Sequence, residues 1–184
     1  MKTLWIGINT NDALNQDIIA HGGKLLSGKV AESCLLEGFD AIMDEKLDSL
    51  NSFRYPPYPR GPRRVARTEW SRAEGSRDIS VSYLNIPYLS IRSREHALVK
   101  EAKAWCRTVP KDESICVFIY SMHSPFMKAA AAIKKMRPDA TVSMLVLDLP
   151  QFMDLHMSRL KKMLKAMDWR LLNLRMYEAK KKLF

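Results

Sequence analysis

The segment from Ile115 to Asp154, ICVFIYSMHSPFMKAAAAIKKMRPDATVSMLVLDLPQFMD, constrains the fold more than any other part of the chain. Its apolar run Ile115 to Ile119 stops at Tyr120-Ser121-Met122-His123. Ser124-Pro125 then signals a helix start: a capping hydroxyl, followed by a proline whose fixed φ and missing N–H suit the first helical position. The alanine-rich stretch predicts a helix to Arg137, ended by Pro138. A second apolar run, Thr141 to Leu147, stops at Asp148-Leu149-Pro150. Strands this uniformly apolar are covered on both faces, which implies parallel strands joined by a crossover helix. Ligands of such sheets sit beyond the carboxyl ends of the strands. Two of those ends here carry His123 and Asp148, the candidate catalytic residues, with Ser121 beside the first.

The rest of the chain extends that pattern. Thr3 to Asn9 reads as a first buried strand rather than a signal peptide, because Asn9, Asn11 and Asp12 interrupt its short apolar core. A polar turn region containing His21-Gly22-Gly23 leads to a predicted helix from about Lys29 to Lys46. Residues 48–80 read as loop, since Tyr55-Pro56-Pro57-Tyr58-Pro59-Arg60-Gly61-Pro62 holds neither a helix nor an interior strand. Ile79 to Leu84 reads as one short alternating strand, and Ser93 to Cys106 as a helix. From Met153, apolar residues recur in steps of three and four through Leu174, flanked by lysines, which predicts an amphipathic basic helix over about 153–182. The order matches an α/β fold: a Rossmann-like, open, mostly parallel sheet with helices on both faces, in a single domain spanning 1–184.

The chain has 184 residues, 47% of them hydrophobic, enough for one full core and too few for two large ones. Cys34, Cys106 and Cys116 form no CxxC pair and no metal-ligand spacing, and an odd, sparse count suits reduced thiols in the cytoplasm. No apolar run reaches the ~18 residues of a membrane span. The net charge of +10 is concentrated in two places. Residues 54–77 carry seven arginines against Glu69 and Glu74, and residues 151–184 carry nine Lys/Arg against Asp154, Asp168 and Glu178. Such local basicity favours phosphates, nucleic acid or anionic lipid. P-loop, HExxH and GxSxG motifs are all absent from the sequence.

The motif Tyr120-Ser121-x-His123-x-Pro125-Phe126, an alanine-rich helix, and an apolar strand closing on Asp148-Leu149-Pro150-x-Phe152-Met153 resemble one known group. This is the amino-terminal half of bacterial glycosyltransferases of the GT-B fold, family 4 type, which assemble capsular and other surface polysaccharides. The stretch Tyr83 to Cys106 is similar to a second block of that family, where an Asn-containing loop (here Asn85) leads into a basic helix with a tryptophan near its end. Together the two blocks cover well under half of the chain.

The resemblance implies the acceptor-side half of a retaining enzyme. The complete protein would move a sugar from a nucleotide-sugar donor to a glycan or lipid-linked acceptor, with no metal and no bound cofactor. The donor would be held by a missing carboxyl-terminal domain or a partner subunit, where the family's E-x7-E pair and glycine-rich turns lie, so the chain alone would not turn over. Its implied location is cytoplasmic, peripheral on the inner face of the membrane. Two alternatives stand beside it: a non-catalytic split subunit docking to a partner protein, or a basic peripheral module binding an anionic membrane. Nucleic acid is disfavoured, because no recognition module accompanies the basic residues.

Each candidate has a plainer reading. Gly22 and Gly23 allow close backbone approach to a sugar or anion, or form only a flexible turn. His123, before a helix start, is kept neutral by the helix end and can accept a proton, or it hydrogen-bonds the turn. Asp148 accepts hydrogen bonds from sugar hydroxyls, or caps the following helix. Arg63 and Arg64 lie in an arm that also holds Tyr55, Tyr58 and Trp70; it grips a pyrophosphate-linked acceptor or single-stranded nucleic acid, or is solvated. The tail helix packs on its own sheet, a membrane surface, a partner helix or a second domain.

Overall fold

Lys2–Gly7 forms the first strand, β1, with all but Lys2 buried. In the computed structural model, which describes residues 1–24 and 27–146, this strand sits at the centre of a six-stranded sheet. The following elements, in chain order, are α1 (Asp12–Ala20), α2 (Ser27–Ile42), β2 (Asp48–Asn51), β3 (Arg64–Val65), β4 (Thr68–Trp70), β5 (Asp78–Ser80), β6 (Tyr83–Leu84), α3 (Ser90–Thr108), β7 (Ile115–Tyr120), α4 (Ser124–Met136) and β8 (Thr141–Leu145). The large sheet runs β4-β5-β2-β1-β7-β8, parallel throughout except for β4, which pairs antiparallel with β5. Strands β3 and β6 form a separate antiparallel pair.

The parallel strands move outward from β1 in one direction and then return to extend the sheet on its other side. That reversal, between β1 and β7, is the topological switch point of a Rossmann-like fold, and it opens a crevice at the carboxyl ends of the two strands. Side chains alternate across β1 as its period of two requires. Leu4 and Ile6 join Leu50, Val117, Ile119, α3 and α4 in the main core. Trp5 faces the opposite layer, with Leu36 and Phe39 of α2, Phe118 and Tyr120. Helices therefore cover both faces, and the expected α/β architecture is present.

The structure departs from the sequence reading in several elements. Residues 48–80 are not an irregular loop: they supply β2, β4 and β5, and β2 is the neighbour of β1. The strand expected over Ile79 to Leu84 divides into β5 and β6, which belong to different sheets. An additional helix, α1, stands between β1 and α2, capped by the Asn11 side chain on the Leu14 amide. In α4 the cap position is His123 rather than Ser124, and the Ser124 hydroxyl instead donates to Glu95 of α3. The reading of Leu147, Asp148 and the amphipathic tail helix falls outside the described residues.

Above the carboxyl edge of the sheet, α1, the 53–65 segment and β6 build a small cluster of their own from Ile18, Phe53, Tyr55, Val65 and Tyr83. Tyr55 donates from its hydroxyl to Asp17 of α1 (2.8 Å), and the Tyr83 hydroxyl donates to the Phe53 carbonyl (2.7 Å) while accepting from the Tyr55 amide (3.2 Å). Gly61 is required here: a Cβ would lie 2.1 Å from the Pro56 carbonyl oxygen. The proline-rich arm is thus an ordered cap over the sheet edge.

Candidate functional site

Beyond the carboxyl ends of β1, β2 and β7 lies a cleft of about 120 Å³. Its walls come from Ile8 after β1, Ser52, Phe53 and Arg54 after β2, Arg94 of α3, Ser121 and His123 after β7, and Phe126. At ~30 Å³ per water this is room for roughly four waters, a volume for one group of a ligand rather than a whole nucleotide. The cleft borders the switch point, where open α/β sheets bind ligands.

The polar groups of this cleft are unusual for being unmatched. Among the described residues, buried side-chain polar atoms without a partner are Thr3 Oγ1, Ser52 Oγ, Arg94 Nε and His123 Nδ1. All but Thr3 line this cleft. Buried polar groups are nearly always paired, and here three residues with such an atom border one space.

Arg94 is the most telling of them. It is only 5% exposed and lies over the Tyr83 ring, 5.7 Å from guanidinium carbon to centroid. Among the described residues no carboxylate pairs with it. The adjacent Glu95 is committed to Ser124 (2.9 Å) and Lys128 (2.7 Å). Burial and the like charge of Arg54 both push the Arg94 pKa down, with Tyr83 and Glu95 opposing. A guanidinium stays charged in proteins, so this positive charge is buried without an ion-pair partner among the described residues.

His123 is half-buried as a residue, with its Nδ1 enclosed. Its ring stands 5.0 Å from that of Phe126. Burial, then the charges of Arg94 and Arg54, push its pKa down to about 3, so the imidazole is neutral at physiological pH. The expected neutrality is present, with burial and the two arginines as its causes rather than the helix end. Ser121 adopts φ +86, a left-handed conformation rare for a residue with a side chain, and its amide donates to Leu145 of β8. Strain of this kind concentrates at functional turns.

The neighbouring β1–α1 turn is closed by contrast. Glu32 of α2 is fully buried and accepts from the Trp5 indole (2.6 Å) and from the Ile8 amide, 3.0 Å from each carboxylate oxygen. A Cβ on Gly7 would lie 1.7 Å from its Oε1, so only glycine fits beneath it. The Asn9 amide donates to Asn51 of β2 (3.0 Å). Burial pushes the Glu32 pKa up to about 7, against the hydrogen bonds it accepts and the nearby Lys29. Two amides of the turn that faces a pyrophosphate in a dinucleotide-binding fold, those of Ile8 and Asn9, are here engaged by the protein's own side chains.

The expected site residues are distributed unevenly. Ser121 and His123 line the cleft. Gly22 and Gly23 close the end of α1 instead, where Gly22 has φ +75 and their amides bond back to Ile19 and Ile18 at 2.8 Å. Asn85 is a clamp within the cap: its side chain donates to the Pro56 (2.6 Å) and Pro62 (3.1 Å) carbonyls, leaving it no free donor for substrate. Arg63 and Arg64 are exposed on the cap, with Arg64 reaching Ser82. Asp148 lies outside the described residues. Sequence reasoning missed Ser52, Arg54 and Arg94. For Arg94 a signal existed: it occupies the same helical stripe as Leu98 and Ala102, both fully buried, an odd place for a charge.

No protein-family model, curated protein or solved structure matches this chain. Among the described residues no helix is long and apolar enough to cross a membrane.

Proposed function

We propose that this chain is the acceptor-side half of a retaining glycosyltransferase of the GT-B type, acting on a glycan or lipid-linked acceptor. The observation that carries the reading is the cleft at the switch point, where a neutral imidazole, a serine hydroxyl and two guanidiniums surround a space the size of a single chemical group. Its location at the Tyr120–Phe126 motif agrees with the family resemblance. The occupied β1–α1 turn supports the same reading, because Glu32 places a carboxylate where a dinucleotide's phosphates would need open amides.

In this reading the donor is presented by a second α/β unit, and the transfer occurs between the two. Closure excludes water and aligns acceptor with donor, so geometry supplies much of the rate. His123, neutral, hydrogen-bonds a sugar hydroxyl without carrying charge into the site. Arg54 and Arg94 hold negative charge on the acceptor side. No general base is assigned to this half.

The test is a ¹⁵N–¹H titration of the full chain with oligosaccharide or lipid-linked acceptors, with nucleotide sugars, and with NADH. Acceptor-induced shifts at Ser52–Arg54, Arg94 and Ser121–His123 are expected, with weaker shifts from nucleotide sugar. Tight NADH binding centred on Ile8–Asn11, with acceptors silent, sinks the proposal.

A further inference from the structure

The geometry points to a phosphate-binding subsite at the floor of this cleft, formed by Arg94, Arg54, His123 and Ser52, that grips a phosphate or diphosphate group of the ligand. As a statement about the acceptor it deepens the proposed function; as an anion site it stands on its own geometry.

The charge balance is the first argument. The other arginines with buried or half-buried surroundings in this fold are matched. Arg72 pairs with Asp40 (2.7 Å) and Asp78, and Arg137 is held by Asp139 (2.9 Å) and by three backbone carbonyls. Arg94 is more deeply buried than either, yet has a second cation, Arg54, on the same cleft and, among the described residues, no carboxylate bonded to it, Glu95 being held by Ser124 and Lys128. Two guanidiniums facing one small space repel each other unless an anion sits between them.

Direction is the second argument. Donors converge from three separate elements: the end of β2 (Ser52, Arg54), helix α3 (Arg94) and the β7–α4 turn (His123). A tetrahedral oxyanion offers more acceptor oxygens than a carboxylate, spread in three dimensions, and so meets donors arriving from several elements at once. Ser52, Arg54, Arg94 and His123, which line the space, are all residue types that donate to such an oxygen. The exposure of Arg54 at the rim beside enclosed Arg94 leaves an entrance, so a phosphate can arrive attached to something larger.

The same chemistry reaches a cell in two forms, on a lipid-linked glycan or as a free phosphate compound. The experiment titrates the full chain, wild type and the variants Arg94→Met and Arg54→Gln, with inorganic phosphate, inorganic pyrophosphate and citronellyl phosphate, read by thermal shift and by the His123 ring signals. Saturable binding is expected, roughly 10- to 100-fold weaker in either variant, as loss of one charge-assisted partner requires. Bound phosphate should also raise the pH at which His123 titrates, a response that mere surface screening does not produce. Citronellyl phosphate binding tighter than pyrophosphate assigns the site to a lipid-linked ligand; equal affinities assign it to a free phosphate group. No saturable binding, or binding unchanged in both variants, overturns the subsite. Should Arg94→Met fail to fold, Arg54→Gln at the exposed rim decides alone. Anion binding lost in the variants while glycan acceptors stay silent keeps the subsite and removes the transferase reading. Acceptor shifts at Ser121–His123 that both variants leave intact do the reverse.

Discussion

Arg72 and Arg94 are both withdrawn from solvent, yet they do opposite things. Arg72 ties three elements together: its side chain donates to Asp40 of α2 and to Asp78 of β5, and reaches the Leu47 carbonyl before β2 (3.2 Å). Asp78 is itself fully buried and bonded to Ser49 and Ser76 as well. That corner of the sheet is electrically closed. At the carboxyl edge, Arg94 has an aromatic ring, a second arginine and unmatched donors around it. The comparison shows how one side chain type serves as a cross-link where its charge is answered, and as a receptor where it is left open.

Arg72→Met tests the closed corner and should have the largest effect. It strands Asp78 without its counter-ion, and removing one partner of a buried pair costs about 3–5 kcal/mol. Chemical denaturation that finds a loss under ~1 kcal/mol would mean the corner is solvated after all. Gly7→Ala comes next, at about 3 kcal/mol, because its methyl group displaces the Glu32 carboxylate from the Ile8 amide and the Trp5 indole.

The pH dependence of stability sharpens the comparison further. His123 has a folded pKa near 3 against an ordinary 6.5, so the unfolded chain binds its proton first. Its contribution is complete above 6.5 and declines as pH falls toward 3. Glu32 has the opposite sign: its folded pKa is about 7 against 4.5, so its contribution is complete below 4.5 and is lost as pH rises through 7. The two offset one another between 4.5 and 6.5. Glu32→Gln should therefore expose a steeper fall in stability between pH 6.5 and 4.5, and His123→Asn should flatten the loss below 4.5. Urea midpoints across pH 3–8 check both signs, and a Glu32→Gln profile superimposable on wild type would contradict the Glu32 assignment.

Arg94→Met should give the smallest stability change, within about 1 kcal/mol of wild type or on the stabilising side, since it removes an unanswered buried charge. A loss like that of Arg72→Met would show Arg94 to be structural, and the contrast between the two arginines would collapse.

The parts of the fold legible in the sequence were those held by apolar pattern. The strand β7, the helix α4 and the strand β8 follow from ICVFIY, the alanine run and TVSML, and the Ser121–His123 turn between them falls where expected. Strand β2 was not legible because its residues are Asp48, Ser49, Leu50 and Asn51. Three of these four are polar and buried, answered by remote partners: Trp105 donates to Asp48 (2.7 Å), Asp78 accepts from Ser49, and Asn51 accepts from Asn9. No local pattern shows that a polar strand will find such partners. Asn85 misled for a related reason, its flanking prolines marking a turn but not the carbonyls that its amide would satisfy. Half of the candidate site was therefore readable, the half on β7, while the half on β2 and α3 emerged only when the chain was folded.

The cap over the carboxyl edge has one further consequence. It is fastened to α1 through Tyr55 on Asp17 and the packing of Ile18, and the segment between Pro57 and Arg64 bonds mostly to itself and to Asn85 and β6 within the cap. None of the six strands of the large sheet pairs with that segment, while Phe53 and Arg54 at its root stand in the cleft wall. The domain thus joins a six-stranded chassis to a separately built cover, so that exposed side chains of the cover alter what approaches the cleft without entering the sheet's own ladder of bonds.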